Sequence, residues 1–397
     1  MQELLTPDYR NDFPILRRRL GELPLIYLDS GATSLKPQCV IDAVTGFYSE
    51  CTANVHRSVH RLSEEATDRF EASREAVARF LNADSREIAF TRNATEALNL
   101  VAARTQSGPV ALTVVEHHSN LLPWLAQEHF FLELDEYRRI DLEKAEAAIS
   151  QKRPSLVTLA TISNALGIRH PVEELIRIAH QYGSEVLLDL SQSVGHEPVD
   201  VFELDCDFAC FSGHKMLGPS GVGVLYQKEG GRNPVLPRLL GGEMVHQAHI
   251  DSFEARPFPW GVEAGTPNIE GVIGLGAAVG YLDRVGVPAI RQHTAALAAR
   301  LREGMQKIEG VHLLVPQSVA SQTGIVTFQM DGMPAQGLAR ILSNRFAIMI
   351  RSGFHCAQPL HEAYGLPESS RASLHLYNTA EEIDLLLEAL IRLRQSI

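Results

Sequence analysis

Short apolar segments alternate with helical segments through the first two thirds of the chain. The apolar segments have the length and composition of strands and lie at residues 25–29, 87–90, 110–115, 156–161, 185–190, 207–212 and 221–226. Amphipathic periodicity indicates helices between several of them, at 64–81, 95–104 and 172–181. Near-continuous apolar strands separated by such helices are typical of a mainly parallel sheet with helices on both faces. The pattern predicts an α/β fold, in which the last two strands, joined by a short turn at 218–221, pair antiparallel.

The pattern changes after Gly286. Longer helices at 289–308, 334–345 and 379–394 surround fewer strands, and Thr379 with Glu382 has the spacing of a capping box that opens the last helix. We therefore expect a large domain at residues 18–286 and a smaller α+β domain formed by 1–17 and 287–397.

Composition narrows the class of protein. A chain of 397 residues is long enough for a sizeable buried core. Its net charge of −12 argues against a broad nucleic-acid-binding surface. Apolar runs stay short of the ~20 residues that span a bilayer, and the N-terminal segment lacks the apolar core of a signal peptide. We expect a cytoplasmic protein without a membrane or nucleic-acid partner.

The five cysteines are Cys39, Cys51, Cys206, Cys210 and Cys356. An odd number without a secretory signal argues against a disulfide framework. Cys206 and Cys210 lie in or beside a predicted strand and are interpreted as small core residues rather than zinc ligands. No metal site is predicted.

Lys215 lies in the segment Ser-Gly-His-Lys, directly after an apolar strand and before a turn rich in glycine. Glycines let a ligand approach the backbone, and a lysine that leaves a buried strand can lose its proton and condense with an aldehyde. Taken alone, Lys215 is more simply interpreted as a surface lysine in a loop.

Two further features favour a functional Lys215. Asp189 ends an apolar strand, and in α/β folds such a carboxylate faces the ligand cleft, where it can keep the pyridine nitrogen of pyridoxal 5′-phosphate (PLP) protonated. Ala94 and Thr95 open a helix directly after a strand, where free N–H groups and the helix dipole suit a phosphate. The structural alternatives are that Asp189 caps a turn and Thr95 caps the helix. Together with Lys215, these residues predict a PLP site.

A second chemical centre is predicted around Cys356. This cysteine lies in a loop between glycine and proline and close to Arg351 and His355, where a thiol can serve as a nucleophile. Arg371 on the next predicted strand can bind a substrate carboxylate with two hydrogen bonds. His117, just past the 110–115 strand, is placed to stack on a planar ring or to move protons. The alternatives are an inert buried cysteine and a structural histidine.

Together these segments resemble the cysteine desulfurase and selenocysteine lyase family of class V PLP enzymes, most closely its Suf-type second group. The resemblance runs nearly end to end in family order, through residues 189–192 and the motifs YLDSGATSLKP, NVHRSVHRLS, TRNATEALN, EHHSNLLPW, SGHKMLGPSGVGVLY, GGEMV, EAGTPN, RSGFHCAQP and RASLHLYNT. It implies the fold type I transferase architecture, with a mainly parallel large domain and a smaller α+β domain. It also implies a homodimer with active sites at the interface, L-cysteine as substrate and a sulfur-acceptor protein as partner.

The resemblance also implies roles around the cofactor. Lys215 would bind PLP and then act as the base at the substrate Cα. Asp189 would pair with the pyridine nitrogen, Gln192 with the ring hydroxyl, and His117 would stack on the ring. The phosphate would be held by residues of the two strand ends and of a neighbouring subunit, namely Ala94, Thr95, Ser212, His214 and Thr266.

On the substrate side, the resemblance implies that Asn164 and Arg371 bind the carboxylate and that Cys356 accepts sulfur as a persulfide. The Cys356 side of the pocket would be lined by His56, Arg57, Arg351 and His355. The implied reaction converts L-cysteine to L-alanine and supplies sulfur for iron–sulfur clusters or other sulfur cofactors.

Three alternatives remain open on the same scaffold: a selenocysteine lyase, a C–S lyase of secondary metabolism and an epimerase. An epimerase has no need of a nucleophilic thiol, so Cys356 disfavours it. A non-enzymatic scaffold that binds a sulfur-transfer partner is disfavoured by the presence of Lys215, Asp189 and Cys356.

The sequence departs from the family pattern in three places. Phe354 stands where relatives often have a polar residue or histidine, which is expected to change access to the persulfide. Gly31 replaces the more usual alanine, and little effect is expected. The segments 124–155 and 106–109 are shorter than in typical relatives, which weakens any transfer of partner identity.

Overall fold

The computed structural model describes residues 7–104, 108–316 and 323–396 of the chain. Its largest element is a seven-stranded sheet, whose strands in spatial order are Ile88–Thr91, Gly223–Gln227, Phe208–Ser212, Glu185–Asp189, Leu156–Ala160, Val110–Leu112 and His129–Phe131. Gly223–Gln227 runs antiparallel to both of its neighbours, and the remaining paired strands run parallel. The predicted α/β fold and the antiparallel pairing of the last two strands are confirmed.

Side chains of the sheet alternate between two hydrophobic cores, because successive residues of a strand point to opposite faces. In Val110–Leu112, the first and last side chains pack in one core and Ala111 packs in the other. The helix Arg61–Leu81 lies against the larger core, and Ala94–Ala102 lies against the smaller. Because helices cover both faces, the strands are apolar along their whole length.

The helices of the described ranges have the following bounds: Gln38–Glu50, Arg61–Leu81, Ala94–Ala102, Leu122–Leu125, Leu142–Lys152, Val172–Gln181, Val201–Leu204, Ile269–Val285, Val287–Met305, Ala335–Phe346, Gln358–Ala363 and Ala380–Arg394. Val172–Gln181 shows why the predicted helices form. Its buried residues include Val172, Leu175, Ile176 and Ala179, which share one face at helical spacing.

The C-terminal part of the chain builds a second sheet and a second core. Four antiparallel strands lie in the order Val311–Leu313, Ile325–Met330, Ser369–Ser373 and Arg351–Gly353. The helices Val287–Met305 and Ala380–Arg394 pack against this sheet in a core of their own. The predicted capping box is present, because Thr379 accepts from the Glu382 backbone and the Glu382 carboxylate accepts from the Thr379 backbone.

The first predicted strand, at 25–29, does not join the large sheet. Ile26–Tyr27 pairs parallel with Ile348–Met349 instead, and Ile26 and Leu28 pack in the core of the small domain. The pairing partner lies more than 300 residues away in sequence, so local periodicity could not identify it. Two short antiparallel pairs complete the strands: Arg19–Leu20 with Leu23–Pro24, and Val245–Ala248 with Phe253–Ala255.

The predicted domain limits stay a prediction. Phe13, from the arm assigned to the small domain, packs in the core of the large sheet, whereas Ile26, from the range assigned to the large domain, packs in the small one. Residues 1–6 of that arm and residues 106 and 107 of the shortened turn lie outside the described ranges. The segment 124–155 contains the strand His129–Phe131 and the helix Leu142–Lys152.

Cys206 and Cys210 are fully buried, and they pack in the two different cores of the large sheet. All five cysteines are free. Within the part of the chain that the structure describes, no single helix is long and apolar enough to cross a membrane; Ile269–Val285 and Val287–Met305 meet that test only together, as a pair bent by 75°.

Candidate active site

Parallel strands of the large sheet end at one edge, and polar side chains collect there. Asp189 is the last residue of Glu185–Asp189, and Lys215 lies in the 3-10 turn that follows Phe208–Ser212. Most of the predicted site residues border a cavity of about 210 Å³ at this edge: Ala94, Thr95, His117, Asn164, Asp189, Ser212, His214, Lys215, Arg351, His355 and Arg371. Such an edge is where α/β sheets bind ligands.

Residues 33–36 form hydrogen bonds to the turn that carries Lys215. The carbonyl oxygen of His214 accepts hydrogen bonds from Ser34 N at 3.0 Å and from Lys36 Nζ at 2.9 Å. Burial lowers the pKa of Lys36 to about 8. Lys36 was not identified from the sequence, because a lysine before a proline carries no signal that it donates to a distant carbonyl.

Lys215 projects into the cavity beside Asp189. Burial lowers the pKa of the Lys215 ammonium, and the nearby Arg371 and Arg351 act in the same direction, whereas Asp189 opposes them. A larger fraction of Lys215 is therefore neutral near pH 7 than for an exposed lysine, and the neutral amine is the form that condenses with an aldehyde.

The start of the helix Ala94–Ala102 borders the same cavity. Asn93 caps it by accepting from Glu96 N at 3.0 Å, Ala94 N donates to Ser212 Oγ at 2.9 Å, and Thr95 Oγ1 lies 2.7 Å from Ser119 Oγ. Gly223 is required here, since a Cβ at that position would lie 2.6 Å from the Asn93 backbone. The first N–H groups of a helix and these hydroxyls form a binding site for an anion.

His117 borders the cavity as a neutral imidazole. Its Nδ1 accepts a hydrogen bond from Ser119 N at 3.1 Å, which leaves the proton on Nε2. Burial lowers the pKa of His117 to about 3, with Lys215 and other neighbouring cations adding to the effect. Burial likewise lowers the pKa of His214 to about 4. Both rings are therefore uncharged at neutral pH and suited to stacking or to donating a hydrogen bond.

Arg371 borders the same cavity and has 1% of its surface exposed. Its Nη1 donates to the Asn164 carbonyl at 2.7 Å, and its Nη2 lies 3.3 Å from Asp29 Oδ1. Its Nε is buried and has no hydrogen-bond partner among the described residues. Because a buried donor without a partner is costly, this atom points to an anionic ligand, such as a carboxylate.

Cys356 lies in a tight loop in which His355 and Cys356 both have positive φ, at 52° and 57°. Arg351 Nη2 lies 3.5 Å from the Cys356 sulfur, and Arg351 is the strand neighbour of Arg371. The Cys356 carbonyl accepts from His118 N at 2.8 Å, which ties this loop to the large domain. His118 was missed as a site residue, although the adjacent histidines of the sequence were noted.

Comparison with known proteins agrees with this geometry. The model of the family described as aminotransferase class-V matches residues 26–386. A probable cysteine desulfurase of Synechocystis is 43% identical, with 97% of this chain and 95% of the relative covered. The chain belongs to the class-V aminotransferase family. A cysteine desulfurase of Haloferax volcanii is 38% identical, with 97% of this chain and 96% of the relative covered.

Solved structures support the same membership. An apo cysteine desulfurase of Thermococcus onnurineus superposes with a TM-score of 0.93 at 38% identity and covers the whole of both chains. A cysteine desulfurase of Escherichia coli, in an S-sulfonic acid form, gives 0.89 at 35% identity, again over both whole chains. The predicted family and fold type are confirmed, and the narrower Suf-type second group stays a prediction.

Class-V aminotransferases are PLP-dependent, and the residues of this cavity fit that cofactor. Lys215 offers an amine of lowered pKa, and the helix start at Ala94 offers anion donors. Asp189, with 5% of its surface exposed, lies beside Lys215 and can pair with a pyridine nitrogen. The cofactor therefore fits because the amine of Lys215, the carboxylate of Asp189 and the anion site at Ala94 all border one cavity.

Five of the predicted site residues do not border this cavity, and Cys356, which approaches it through Arg351, is one of them. Gln192 is buried beneath it and donates from Nε2 to the Gly31 carbonyl at 3.0 Å. Thr266 is exposed and borders a separate cavity. His56 pairs with Glu71 at 2.8 Å, and Arg57 pairs with Glu243 at 2.5 Å.

That His56 and Arg57 line the Cys356 side of the pocket stays a prediction. The sites are expected at a dimer interface, and within one chain Glu71 and Glu243 pair with these two side chains. Thr266 was expected to act in the neighbouring subunit, which one chain does not test. Gly31 was expected to matter little. It borders the cavity, and a Cβ there would lie 3.1 Å from Arg371 Nη2, so its lack of a side chain leaves room beside the guanidinium.

Proposed function

We propose that this protein is an L-cysteine desulfurase that forms L-alanine and transfers the sulfur of its substrate to Cys356. The observation that carries the proposal is the arrangement around Arg351, which borders the cavity of Lys215 and approaches the Cys356 sulfur to 3.5 Å. Arg351 thus links the cavity that holds Lys215 to the thiol of Cys356. The names of the relatives, all cysteine desulfurases, support the same reaction.

PLP, when bound, supplies a ring that accepts the electron pair released at the substrate Cα. The residues of the chain do the rest. Arg371 binds the substrate carboxylate through its free Nε–H. The Lys215 amine takes the Cα proton, since its lowered pKa keeps part of it neutral. Neutral His117 offers its Nε2–H to the bound molecule.

Cys356 then removes the sulfur. Its sulfur forms an S–S bond with the substrate sulfur as the substrate Cβ–S bond breaks, and a proton is delivered to Cβ. L-Cysteine and the Cys356 thiol thereby become L-alanine and a Cys356 persulfide, so atoms balance. The substrate carbon is reduced as the sulfur is oxidised, and no outside oxidant is needed. A thiol of an acceptor protein takes the outer sulfur and restores Cys356.

The assay compares alanine and sulfide formed from L-cysteine with a reductant present. Cys356→Ala is expected to abolish sulfide formation while the protein still binds PLP and stays coloured. Cys39→Ala is the matched control, because Cys39 is another free, partly buried cysteine and has no contact with Arg351 or the cavity lining among the described contacts. Full sulfide turnover by Cys356→Ala would contradict the persulfide step.

Lys215→Ala tests the attachment of the cofactor. The variant is expected to lose the visible absorbance of the lysine-bound cofactor and its bleaching by borohydride. If the variant keeps both, Lys215 is not the attachment site. Parallel assays with L-selenocysteine and cysteine thioethers measure the substrate range, and a preference for either would replace L-cysteine as the proposed substrate.

We further infer that the protein is a cytosolic homodimer of the Suf-type second group that passes sulfur to iron–sulfur cluster or other cofactor assembly. The exposed position of Thr266 and the exposed Thr95 at the rim of the cavity favour completion of the phosphate site by a second copy. The five cysteines are all free, which fits a reducing compartment and motivates the cytosolic assignment.

A further inference from the structure

Glu116, directly before His117, is a buried carboxyl group that the proposed mechanism does not use. It is 1% exposed. Its Oε1 accepts from Thr113 Oγ1 at 2.6 Å, and its Oε2 accepts from Asn120 Nδ2 at 2.8 Å and from Ala160 N at 2.8 Å. One carboxylate therefore satisfies three buried donors, two in its own loop and one at the end of the neighbouring strand.

The contacts of Glu116 continue into a larger polar network. Asn120 Oδ1 accepts from Thr158 Oγ1 at 2.7 Å and from Trp124 Nε1 at 3.2 Å. Thr113, Asn120, Thr158 and Trp124 are all fully buried. A fully satisfied buried network fixes one arrangement of its members, since each alternative leaves a donor without a partner.

Two cofactor-facing residues depend on this loop. His117 directly follows Glu116 in the sequence, and its Nδ1 accepts a hydrogen bond from Ser119 N at 3.1 Å. Ser119 in turn lies 2.7 Å from Thr95 at the anion site. Fixing Glu116 therefore fixes the backbone that orients the ring of His117 and the hydroxyl of Ser119.

The strand side of the network leads to Asp189. Ala160, whose N–H donates to Glu116, pairs in register with Asp189 on the adjacent strand. Burial raises the pKa of Glu116 to about 7, the three hydrogen bonds oppose this shift, and the negative charge of Asp189 adds to it. Asp189, which pairs with Ala160 across the neighbouring strands, is the charged group of the described residues that acts on Glu116.

We propose that Glu116 is a positioning residue for the cofactor site: its carboxyl group holds the His117 loop against the strand end beside Asp189, and its proton sets the charge next to Asp189. The expected effect of Glu116 on turnover rests on the proposed function, whereas its expected effect on the absorbance of bound PLP does not. A protonated Glu116 leaves Asp189 as the single negative charge at the pyridine end, and an ionised Glu116 adds a second.

Glu116→Gln tests the proton. The amide has the shape of the protonated acid, its oxygen can accept from Asn120 and Ala160, and its NH₂ can donate to Thr113. Wild type and variant, both loaded with PLP, are titrated through neutral pH while the visible absorbance is followed. Wild type is expected to show a component that titrates near pH 7, and Glu116→Gln is expected to lack it.

Thr113→Val provides a second variant that keeps the carboxyl group. It removes one hydrogen bond to the ionised form, so the midpoint of the same component is expected to move to higher pH. Glu382→Gln is the matched control, because Glu382 is a buried, hydrogen-bonded glutamate in the small domain. Its titration curve is expected to follow wild type.

Identical titration curves for wild type and Glu116→Gln would overturn the proposal, as would an equal change in Glu382→Gln. The outcome is separable from the proposed function. If L-cysteine yields no alanine while the curves differ as expected, the desulfurase assignment fails and the role of Glu116 stands. If alanine forms and the curves coincide, the reverse holds.

Discussion

Arg371 gives the sharpest prediction for substrate binding. Two of its nitrogens already donate to Asn164 and Asp29, and the buried Nε lacks a partner in the described chain. A substrate carboxylate can take the free Nε–H, and Arg371→Lys removes this donor while keeping a positive charge. A hydrogen bond to a charged group contributes about 1.5–3 kcal/mol. Its loss lowers kcat/KM roughly 10- to 150-fold, through KM if the bond is equally strong in the bound substrate and the transition state.

The assay is alanine formation as a function of L-cysteine concentration, with the visible absorbance of the bound cofactor as a check on folding. Arg302→Lys is the control, because Arg302 is also a buried arginine of the small domain, 6% exposed, and donates to the Ile325 carbonyl at 2.7 Å. It is expected to stay within about twofold of wild type. A kcat/KM for Arg371→Lys equal to that of the control would refute carboxylate binding by this guanidinium.

Three further outcomes are expected. In the apo form, the folded protein binds the Glu116 proton more tightly than the unfolded chain does. The free energy of unfolding of wild type should therefore fall by about 3 kcal/mol relative to Glu116→Gln as the pH rises from the ordinary pKa of glutamate to about 7. Urea unfolding at several pH values measures this difference, and unfolding free energies of the two proteins that change in parallel with pH would contradict it. Arg74→Met should lower the free energy of unfolding by about 3–5 kcal/mol, because Arg74 is 1% exposed and donates to the Glu263 carboxylate at 2.6 and 2.9 Å. Denaturant unfolding measures this change, and a decrease of less than about 1 kcal/mol would refute the expectation. Sedimentation should give twice the chain mass, and a monomer active at all concentrations would exclude Thr266 of a second copy from the site.

Sequence reasoning predicted the parts of the fold that local pattern controls. The strand ends that carry Asp189 and Lys215 follow apolar runs, so parallel pairing alone brings them to one edge. The helix Ile269–Val285 was missed for a physical reason. It packs against both Gln38–Glu50 and Arg61–Leu81, so it is apolar on several sides. Its Gly276 would place a Cβ 2.7 Å from Ser73 Cβ, so its glycines reflect close packing rather than turns.

The candidate site could be proposed from several residues considered together. Lys215, Asp189 and Cys356 each have a structural alternative when considered alone, and their combination with the family resemblance indicates their roles. Glu116 and Lys36 act through hydrogen bonds to backbone groups that are remote in sequence, and composition and spacing contain no record of these bonds. The role of His56 stays a prediction, since its motif matches the family but its side chain lies outside the cavity of its own chain.

The pairing that sets Arg351 opposite Arg371 limits how this site can change in length. Arg351–Gly353 is a strand of three residues held by one neighbour, Ser369–Ser373. A slip of one residue would turn every side chain of the short strand to the other face, and Arg351 would leave the cavity. A single-residue insertion or deletion between the two strands is therefore expected to disrupt the site if it shifts the pairing of the strands. It is expected to be tolerated if it changes only the length of the exposed turn near Tyr364. The spacing between Cys356 and its arginines is thus protected by strand register, and changes in length are best accommodated in the connection after the helix Gln358–Ala363.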